Sequence, residues 1–354
     1  DVAPSRGLGD VYKRQVQADG SWSVGVTAAQ VSTWPAGTVN IAVSGESSAG
    51  NSVSITHPVT VDLTPAAITI NTIATDDVIN AAEKGADLTL SGTTTNVEPG
   101  QTVTVTFGGK NYTASVASDG SWTATVPAAD LASLPEGSAS AQASVSNING
   151  NSASAVHNYS VDSSAPTIII NTVASDNIVN ASEADAGVTV SGSTTAEAGQ
   201  IVTVTLNSPT VQTYQATVQA DGSWSINIPA ADLEALTDGG HTLTATVNDK
   251  AGNPASTTHN LAVDLTVPVL TINTVSGDDI ISGAEKGAPL TLTGSTQQAE
   301  TGQTVTVTLA GQSFTTTVQA DGSWSLTVPA AAMGNLPDGA VAITASVTDL
   351  SGNT

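Results

Sequence analysis

The chain has 354 residues, of which 31 are Asp or Glu and only seven are Lys or Arg, so its formal net charge is −24 at pH 7. This balance excludes nucleic acid and anionic membrane surfaces as default partners, because both are bound through clustered cations, and it favours cation binding instead. The absence of cysteine excludes disulfide and thiolate chemistry, and no stretch approaches the ~18 apolar residues that insertion as a membrane-spanning helix requires.

The first 15 residues differ from everything that follows. They match nothing in the rest of the chain, and their last six residues, DVYKRQ from Asp10 to Gln15, read like the translation of a common transposon sequencing adapter. We therefore expect segment 1–15 to be non-native and exclude it from the domain prediction.

The remaining residues form a tandem repeat. The tetrapeptide Asp-Gly-Ser-Trp begins at Asp19, Asp119, Asp221 and Asp321, and the block that starts at Val61 recurs at Val161 and Val263. Such self-similarity is the signature of a repeat array. It predicts the C-terminal half of a repeat over 16–62, whole repeats over 63–162 and 163–264, and a repeat over 265–354 that lacks its last strand.

Alternation of apolar and polar residues predicts about seven short strands in each repeat. In the first whole repeat we place them at Ala67–Ile73, Asp87–Thr93, Thr102–Phe107, Tyr112–Ala117, Ser121–Val126, Ser138–Val145 and Ser152–Val161. Strands at this spacing describe an immunoglobulin-like sandwich. The predicted fold class is all-β, with tandem immunoglobulin-like β-sandwich domains arranged as an elongated rod and a core around Trp122 that contains Val103, Val105, Leu134 and Val145.

Three motifs together resemble a known family. The VD-xx-AP linker, the DDxIN-xxE segment and the DGSW hairpin are similar to those of bacterial Ig-like repeats in large biofilm-associated adhesins, and the resemblance covers residues 16–354. It implies long arrays that are exported by type I secretion, lie on the bacterial cell surface or are secreted, and are stiffened by Ca²⁺ at domain junctions.

Acidic residues recur at fixed places in the repeat. One set lies between the first two strands, one acid stands in each linker, and another precedes the last strand. The candidate metal ligands are Asp62, Asp76, Asp77, Glu83, Asp162, Asp176, Asn177, Glu183, Asp249, Asp264, Asp278, Asp279, Glu285 and Asp349.

Topology predicts which of these ligands meet. Asp62 and Asp76 lie at opposite ends of a strand, ~30 Å apart at 3.3 Å per residue, and cannot share an ion. We therefore expect the acids before the second strand to meet the outgoing linker and the facing loop of the next repeat. Two groups follow: Asp76, Asp77 and Glu83 with Asp162, and with Asp249 and Asn253 as further members; and Asp176, Asn177 and Glu183 with Asp264, and with Asp349 and Asn353 as further members.

Oxygen ligands without His or Cys indicate Ca²⁺ rather than zinc or a redox metal. The alternative is that these acids are solvated loop residues that cap turns and keep the array soluble.

The recurring tryptophans are predicted to be core residues rather than a sugar-binding row: Trp22, Trp122, Trp224 and Trp324. Trp34 takes the place of Leu134 in its repeat and is expected to pack in the same way. His57, His157 and His259 are predicted to be exposed or on an edge strand.

The favoured function is structural: a stalk that supports adhesion and biofilm formation, with neighbouring repeats as partners and no catalytic activity. A paired-carboxylate acid/base site is disfavoured because the acids recur in every copy. Two alternatives remain open. The repeats could themselves bind glycans or proteins of a host cell or biofilm matrix, or they could be an accessory array of a secreted polysaccharide-degrading enzyme.

Overall fold

A computed structural model describes residues 14–207 and 211–354 of the chain. Most of the segment predicted to be non-native, residues 1–13, lies outside the described residues. The structure divides into two compact units. The first comprises the chain up to residue 77 with residues 87–134 and 138–160, and the second comprises residues 78–86, 135–137 and 161–354.

Nearly all regular elements are β-strands. The N-terminal partial repeat contains α1 (Ala28–Val31), β1 (Gly37–Glu46) and β2 (Ser52–Val61). The next repeat contains β3 (Ala67–Ile68), β4 (Val78–Ile79), α2 (Ala81–Lys84), β5 (Leu88–Thr95), β6 (Thr102–Phe107), β7 (Lys110–Ser115), β8 (Ser121–Val126), α3 (Ala128–Leu131), β9 (Gly137–Ser146) and β10 (Ser152–Val161).

The following repeat contains β11 (Ile168–Ile170), β12 (Ile178–Asn180), α4 (Ala181–Ala186), β13 (Val188–Thr194), β14 (Ile201–Asn207), β15 (Gln212–Thr217), β16 (Ser223–Ile228), α5 (Ala230–Leu233), β17 (Gly239–Asn248) and β18 (Pro254–Asp264). The last contains β19 (Val269–Ile272), a 3₁₀ helix (Glu285–Gly287), β20 (Leu290–Gln297), β21 (Thr304–Leu309), β22 (Gln312–Thr317), β23 (Ser323–Val328), α6 (Ala330–Met333) and β24 (Ile343–Val347). None of the described helices is long and apolar enough to cross a membrane.

In the first unit, β1 pairs antiparallel with β2, from Gly37 opposite Val61 to Glu46 opposite Ser52. The whole repeat has a sheet of β3, β5 and β8 and a second sheet in which β10, β9, β6 and β7 are neighbours in that order. The predicted all-β sandwich is confirmed. Predicted strands Thr102–Phe107, Ser121–Val126 and Ser152–Val161 agree with the structure residue for residue.

The segment predicted as a loop between the first two strands contains an additional short strand, and the predicted strand Ala67–Ile73 is observed only as β3, Ala67–Ile68. In the second unit, β11 pairs with β13, whereas β12 runs parallel to β18, with Ile178 opposite Ala262 and Asn180 opposite Asp264. The sheet orders are β11-β13-β16 and β12-β18-β17-β14-β15, followed in the last repeat by β19-β20-β23 and β22-β21-β24. A whole repeat therefore has eight strands rather than the predicted seven.

The tryptophan of the DGSW turn is the centre of the core. Trp122 is 1% exposed and packs over Gly92 of β5, where an added Cβ would lie 2.7 Å from the indole ring and 1.9 Å from the Thr69 carbonyl oxygen. Glycine is therefore required beneath the ring. The predicted core residues Val103, Val105, Leu134 and Val145 are all buried, as are Trp224 and Trp324.

Two predictions about aromatic residues need correction. Trp22 is 51% exposed and is not a core residue, because the described part of its repeat contributes β1 and β2 but no counterpart of β5 for the ring to cover. Trp34 is half-buried and His57 is exposed. His157 and His259, in contrast, are half-buried. His259 lies on β18, which has neighbours on both sides and is not an edge strand.

Candidate functional site at the repeat junctions

The loop that carries the chain from β11 to β12 is held by Asn177. Its Oδ1 accepts the Val173 N–H at 2.9 Å and lies 2.7 Å from Nε2 of His259. The loop takes left-handed backbone at Ala174, Ser175 and Asn177, with φ of 49°, 68° and 69°. The side chain of Asn177 thus fixes a tight turn that moves the chain from one sheet to the other.

Asp77 has the same role in the first unit. Its Oδ1 accepts the Ile73 N–H at 2.8 Å and lies 2.6 Å from Nε2 of His157. The Ile73 N–H and, after it, His157 lower the pKa of the Asp77 carboxyl. The neighbouring predicted ligands of these loops cap the same turn: Asp176 accepts the Ile178 N–H, Asp278 accepts the Ile280 N–H, and Asp279 accepts the Val275 N–H.

Two of the predicted glutamate ligands lie in the short helices α2 and α4, where each completes a capping box. Glu83 accepts the Asn80 N–H at 3.0 Å, and Glu183 accepts the Asn180 N–H at 3.1 Å. The asparagine side chains in turn accept N–H groups of the first helical turn, as the capping box requires. In the last repeat, Glu285 accepts the Ser282 N–H at 2.8 Å, and this bond lowers the pKa of Glu285.

A loop of the following repeat reaches this short helix, as predicted. In the second unit, Asn253 between β17 and β18 accepts the Ala81 N–H at 2.8 Å and donates to the Asp162 carbonyl at 2.8 Å. Its second amide proton goes to Asp249 Oδ2 at 2.9 Å, and its backbone N–H goes to Asp249 Oδ1 at 2.7 Å. Asn253 is only 1% exposed and Asp249 only 7%.

The next junction repeats this arrangement. Asn353 accepts the Ala181 N–H at 2.8 Å and donates to the Asp264 carbonyl at 3.0 Å. Asp349 accepts from the backbone and side chain of Asn353 at 2.8 and 3.0 Å. Both residues are buried, at 3% and 5% exposure. Two independent copies of one geometry mean that the repeat sequence itself specifies it.

The capping asparagine completes the contact from the other side. Asn80 donates its side-chain amide to the Ala251 carbonyl at 3.1 Å, and Asn180 donates to the Ser351 carbonyl at 3.1 Å. The residue that follows each carbonyl is a glycine with φ near +90°. At Gly352, an added Cβ would lie 2.9 Å from Asn180 Nδ2, so the close approach also requires glycine there.

A second set of carboxylates fixes the outgoing linker. Glu136 accepts the Ser163 N–H at 2.9 Å and also binds the Ser163 hydroxyl, and Lys84 lies 3.3 Å from it. These bonds, the hydroxyl first, lower the pKa of Glu136. The equivalent Asp238 accepts the Leu265 N–H at 2.7 Å, and this bond lowers its pKa.

The first unit contains a variant of the junction. Asn151 donates to the Asp62 carbonyl at 3.2 Å, and Asn149 donates to Asp62 Oδ2 at 2.6 Å. Hydrogen bonds from Thr64, and after them the Asn149 amide, lower the pKa of Asp62. Asn147 occupies the place of Asp249 and accepts the Asn151 N–H at 2.9 Å.

The structure therefore brings together only part of each predicted ligand group. Asp162 and Asp264 lie at the junction with Asp249 and Asp349, while Asn177 lies beside His259, five residues before Asp264 on β18. Across residues 14–207 and 211–354 there is no group of three or more His, Cys, Asp or Glu side chains placed to hold a metal ion. The donor atoms are all oxygens and suit Ca²⁺ in kind. The ligand sets remain a prediction.

Sequence reasoning named Asn253 and Asn353 only as further members of the metal-ligand groups, and it missed Asn80 and Asn180 altogether. It concentrated on carboxylates, whereas the side chains that cross between repeats are the amides of Asn80, Asn180, Asn253 and Asn353. A signal was present: a Gly-Asn pair ends the corresponding loop in all four copies, at residues 50–51, 150–151, 252–253 and 352–353. Glu136 and Asp238, which bind the linker, were also missed. A signal was present here too, because each acid follows a short helix, in the segment PEG or TDG.

Fold and junctions together define a tandem array of immunoglobulin-like β-sandwich repeats. The family model of the bacterial Ig-like domain matches residues 165–265. Among curated proteins there is no match.

Several solved structures are similar in sequence over most of the chain. One is a Ca²⁺-stabilised adhesin that helps an Antarctic bacterium reach out and bind ice: it is 32% identical, the match covers 96% of this chain and 83% of that one, and the TM-score is 0.44. Another comes from a 1.5-MDa bacterial ice-binding adhesin, with 32% identity, coverage of 82% and 95%, and a TM-score of 0.42. A tetra-tandem repeat from the extending region of a large adhesion protein is 29% identical, with coverage of 96% and 84% and a TM-score of 0.32. By sequence identity over these lengths, the chain belongs to the bacterial Ig-like repeats of large adhesins.

Proposed function

We propose that this array is part of the stalk of a bacterial cell-surface or secreted adhesin, and that it supports cell adhesion and biofilm formation by holding an adhesive region away from the cell. The supporting observation is the repeated junction. The carbonyl groups of Asp62, Asp162 and Asp264 each accept a hydrogen bond from an asparagine of the following loop, at 3.2, 2.8 and 3.0 Å. A role in spacing needs such a contact at every boundary, whereas a catalytic role does not.

Calcium is the second part of the proposal. The ions would be held by the predicted acids nearest the linker, Glu83 with Asp162 and Glu183 with Asp264, together with backbone carbonyl groups. The similar adhesin from the Antarctic bacterium is described as Ca²⁺-stabilised, and a chain of net charge −24 gains from divalent counter-ions,. Asp249 and Asp349 already accept two bonds each from an asparagine, so they support the junction from within.

Mechanically, the residues of the chain restrict the hinge between repeats. The linker N–H after Asp162 is bound by Glu136 of the preceding repeat, and the Asp162 carbonyl is bound by Asn253 of the following repeat. Bound calcium would add neutralisation of the carboxylates that face each other there. Without it, repulsion among like charges favours a looser junction.

The calcium part is tested by melting the full chain in Ca²⁺ and in EDTA. We expect EDTA to lower the melting temperature by roughly 5 °C or more, since a ligand that binds only the folded state stabilises it. The double variant Glu183→Gln with Asp264→Asn should lose part of this difference. Glu183→Gln keeps an acceptor for the Asn180 N–H,. Asp264→Asn keeps an oxygen for the Thr266 N–H and offers its NH₂ group to the Ser351 hydroxyl,.

Asp221→Asn is the matched control, because it removes one charge and its described contacts are with Ser223 in its own turn. It should keep the full calcium dependence. Identical melting in Ca²⁺ and EDTA would contradict the calcium part, while the junction contacts themselves would still stand.

A further inference from the structure

The contact surface that each repeat offers to the next includes a pair of backbone groups, beside the capping asparagine and, at one junction, the Asp264 carboxylate, which accepts from the Ser351 hydroxyl at 2.7 Å. The pair is the N–H of Ala81 and the carbonyl of Asp162 at the first of these junctions, and the N–H of Ala181 and the carbonyl of Asp264 at the second. A primary amide can accept from the former through its oxygen and donate to the latter through its nitrogen at once, whereas a carboxylate can only accept. Asn253 and Asn353 do this in a buried site.

We propose that the Gly-Asn pair ending this loop is the element by which each repeat recognises the repeat before it, and that this recognition holds the junction without a metal ion. The partner is a preceding repeat of the same chain that presents an asparagine at the position of Asn80. The inference goes beyond the proposed function, because it needs neither calcium nor an adhesive role.

Three observations support recognition by the Gly-Asn pair without a metal ion. Every polar atom of the Asn253 side chain is bonded, to Ala81, Asp162 and Asp249, so an isosteric but charged carboxylate could not replace it. The glycine before it has φ of +90° and lies 3.6 Å, measured from an ideal Cβ, from Asn80 Nδ2. Finally, Asn80 binds the carbonyl of the residue before that glycine, so the contact is made from both repeats.

Hydrogen exchange of the full 354-residue chain in EDTA tests the proposal. We expect the Ala81 and Ala181 amides to stay protected without calcium. Asn253→Ala should speed exchange at Ala81 roughly five- to tenfold, as loss of one net hydrogen bond would, and leave Ala181 unchanged. The second junction is thus an internal control for the first.

Asn80→Ser provides an independent arm, because serine stands at the same position in the last repeat, at Ser282, and there keeps the bond to its capping glutamate. It removes the amide bond to Ala251 without touching the repeat that carries Asn253, and should also speed exchange at Ala81. Exchange of β14 and β17 amides reports whether that repeat stays folded in Asn253→Ala.

Two results would overturn the proposal. One is wild-type protection at Ala81 that disappears in EDTA, because a metal ion would then hold the junction. The other is unchanged protection at Ala81 in both variants. Neither depends on whether the melting temperature responds to calcium, so this proposal and the proposed function can fail separately.

Discussion

The junction in the first unit and those in the second share one asparagine but differ at the residue that supports it, and the difference separates what is essential from what is exchangeable. In all three, an asparagine amide donates to the carbonyl of the linker aspartate, at 3.2 Å from Asn151 and at 2.8 and 3.0 Å from its two counterparts. The residue four positions earlier is Asn147 in the first unit but a buried aspartate in the second.

This comparison teaches that the carboxylate serves the amide. Asn147 accepts only backbone N–H groups of its loop, whereas Asp249 accepts the backbone N–H of Asn253 and also one of its side-chain protons. The aspartate therefore orients the asparagine side chain. A neutral amide at the same position can still accept the backbone N–H groups of the loop, so it should replace part of this role. The first of four changes tests that interpretation, and the other three test further differences between equivalent positions of the repeats.

Removing the acceptor altogether should have the largest effect. Asp249→Ala leaves two buried donors of Asn253 without partners and should cost roughly 3 kcal/mol of unfolding free energy. Asp249→Asn copies Asn147 and should cost less than about 1 kcal/mol. Urea unfolding followed by tryptophan fluorescence, to which the buried Trp224 of the same repeat contributes, measures both. Equal losses in the two variants would show that charge, and not hydrogen bonding, is what matters at this position.

The close approach of Gly352 to Asn180 distinguishes the two units as well. Gly352→Ala places a methyl group 2.9 Å from Asn180 Nδ2 at φ +92°, whereas Gly150, at φ +89°, has no atom within 4 Å of its added Cβ. We expect a loss of roughly 2–3 kcal/mol for Gly352→Ala and about 1–2 kcal/mol for Gly150→Ala, where only the backbone conformation is penalised. Urea unfolding of the two variants checks this, and equal losses would mean that the asparagine moves away freely.

Asp77 and Asn177 accept equivalent backbone N–H groups in their turns, but only the carboxyl group of Asp77 can be protonated as the pH falls. Because the Ile73 N–H and His157 hold the pKa of Asp77 below its ordinary value of 3.8, its carboxylate stabilises the fold above pH 3.8, and this contribution is lost as the pH falls through the lower folded-state pKa. Asp77→Asn, which copies Asn177, should remove this part of the acid sensitivity. Unfolding midpoints between about pH 5 and pH 2 measure it. An unchanged pH profile in the variant would contradict the prediction.

The smallest effect is expected at Lys84, which pairs with Glu136 at 3.3 Å with side-chain exposures of 17% and 47%. The repeat that follows has Ala184 at this position and still binds its linker through Asp238. Lys84→Ala should therefore cost ~0.5 kcal/mol or less, as for other partly exposed ion pairs. A loss above ~1 kcal/mol would show that the linker contact of Glu136 depends on the cation.

Repetition made the fold predictable, because the recurring DGSW turn and the alternation of Val with Thr indicate the strands and, in the three later copies, the buried tryptophan. The additional strand β12, in the segment predicted as a loop, was not predictable in the same way. It depends on left-handed backbone at Ala174 and Ser175, residues that do not favour this conformation and are held there by the contacts of Asn177.

The junction was predicted in place but only partly in chemistry. Chain direction alone placed the segment around Glu83, predicted as a loop, against the loop of the next repeat, and that facing is observed. The search for charged residues then led to the acids. An asparagine that accepts from a backbone N–H and donates to a carbonyl is uncharged and was not recognised in this way. The contacts of His157 and His259 with the turn residues were not predicted either, because their partners lie 80 and 82 residues away in sequence.

Small-angle X-ray scattering of the full chain in Ca²⁺ and in EDTA tests the central claim, that these junctions link the repeats into a stalk, most directly. The account predicts a larger maximum dimension and a narrower distribution of conformations in Ca²⁺. It also predicts that Asn253→Ala with Asn353→Ala broadens the distribution under both conditions. Identical scattering from the wild type in Ca²⁺ and EDTA, together with no change in the double variant, would contradict it.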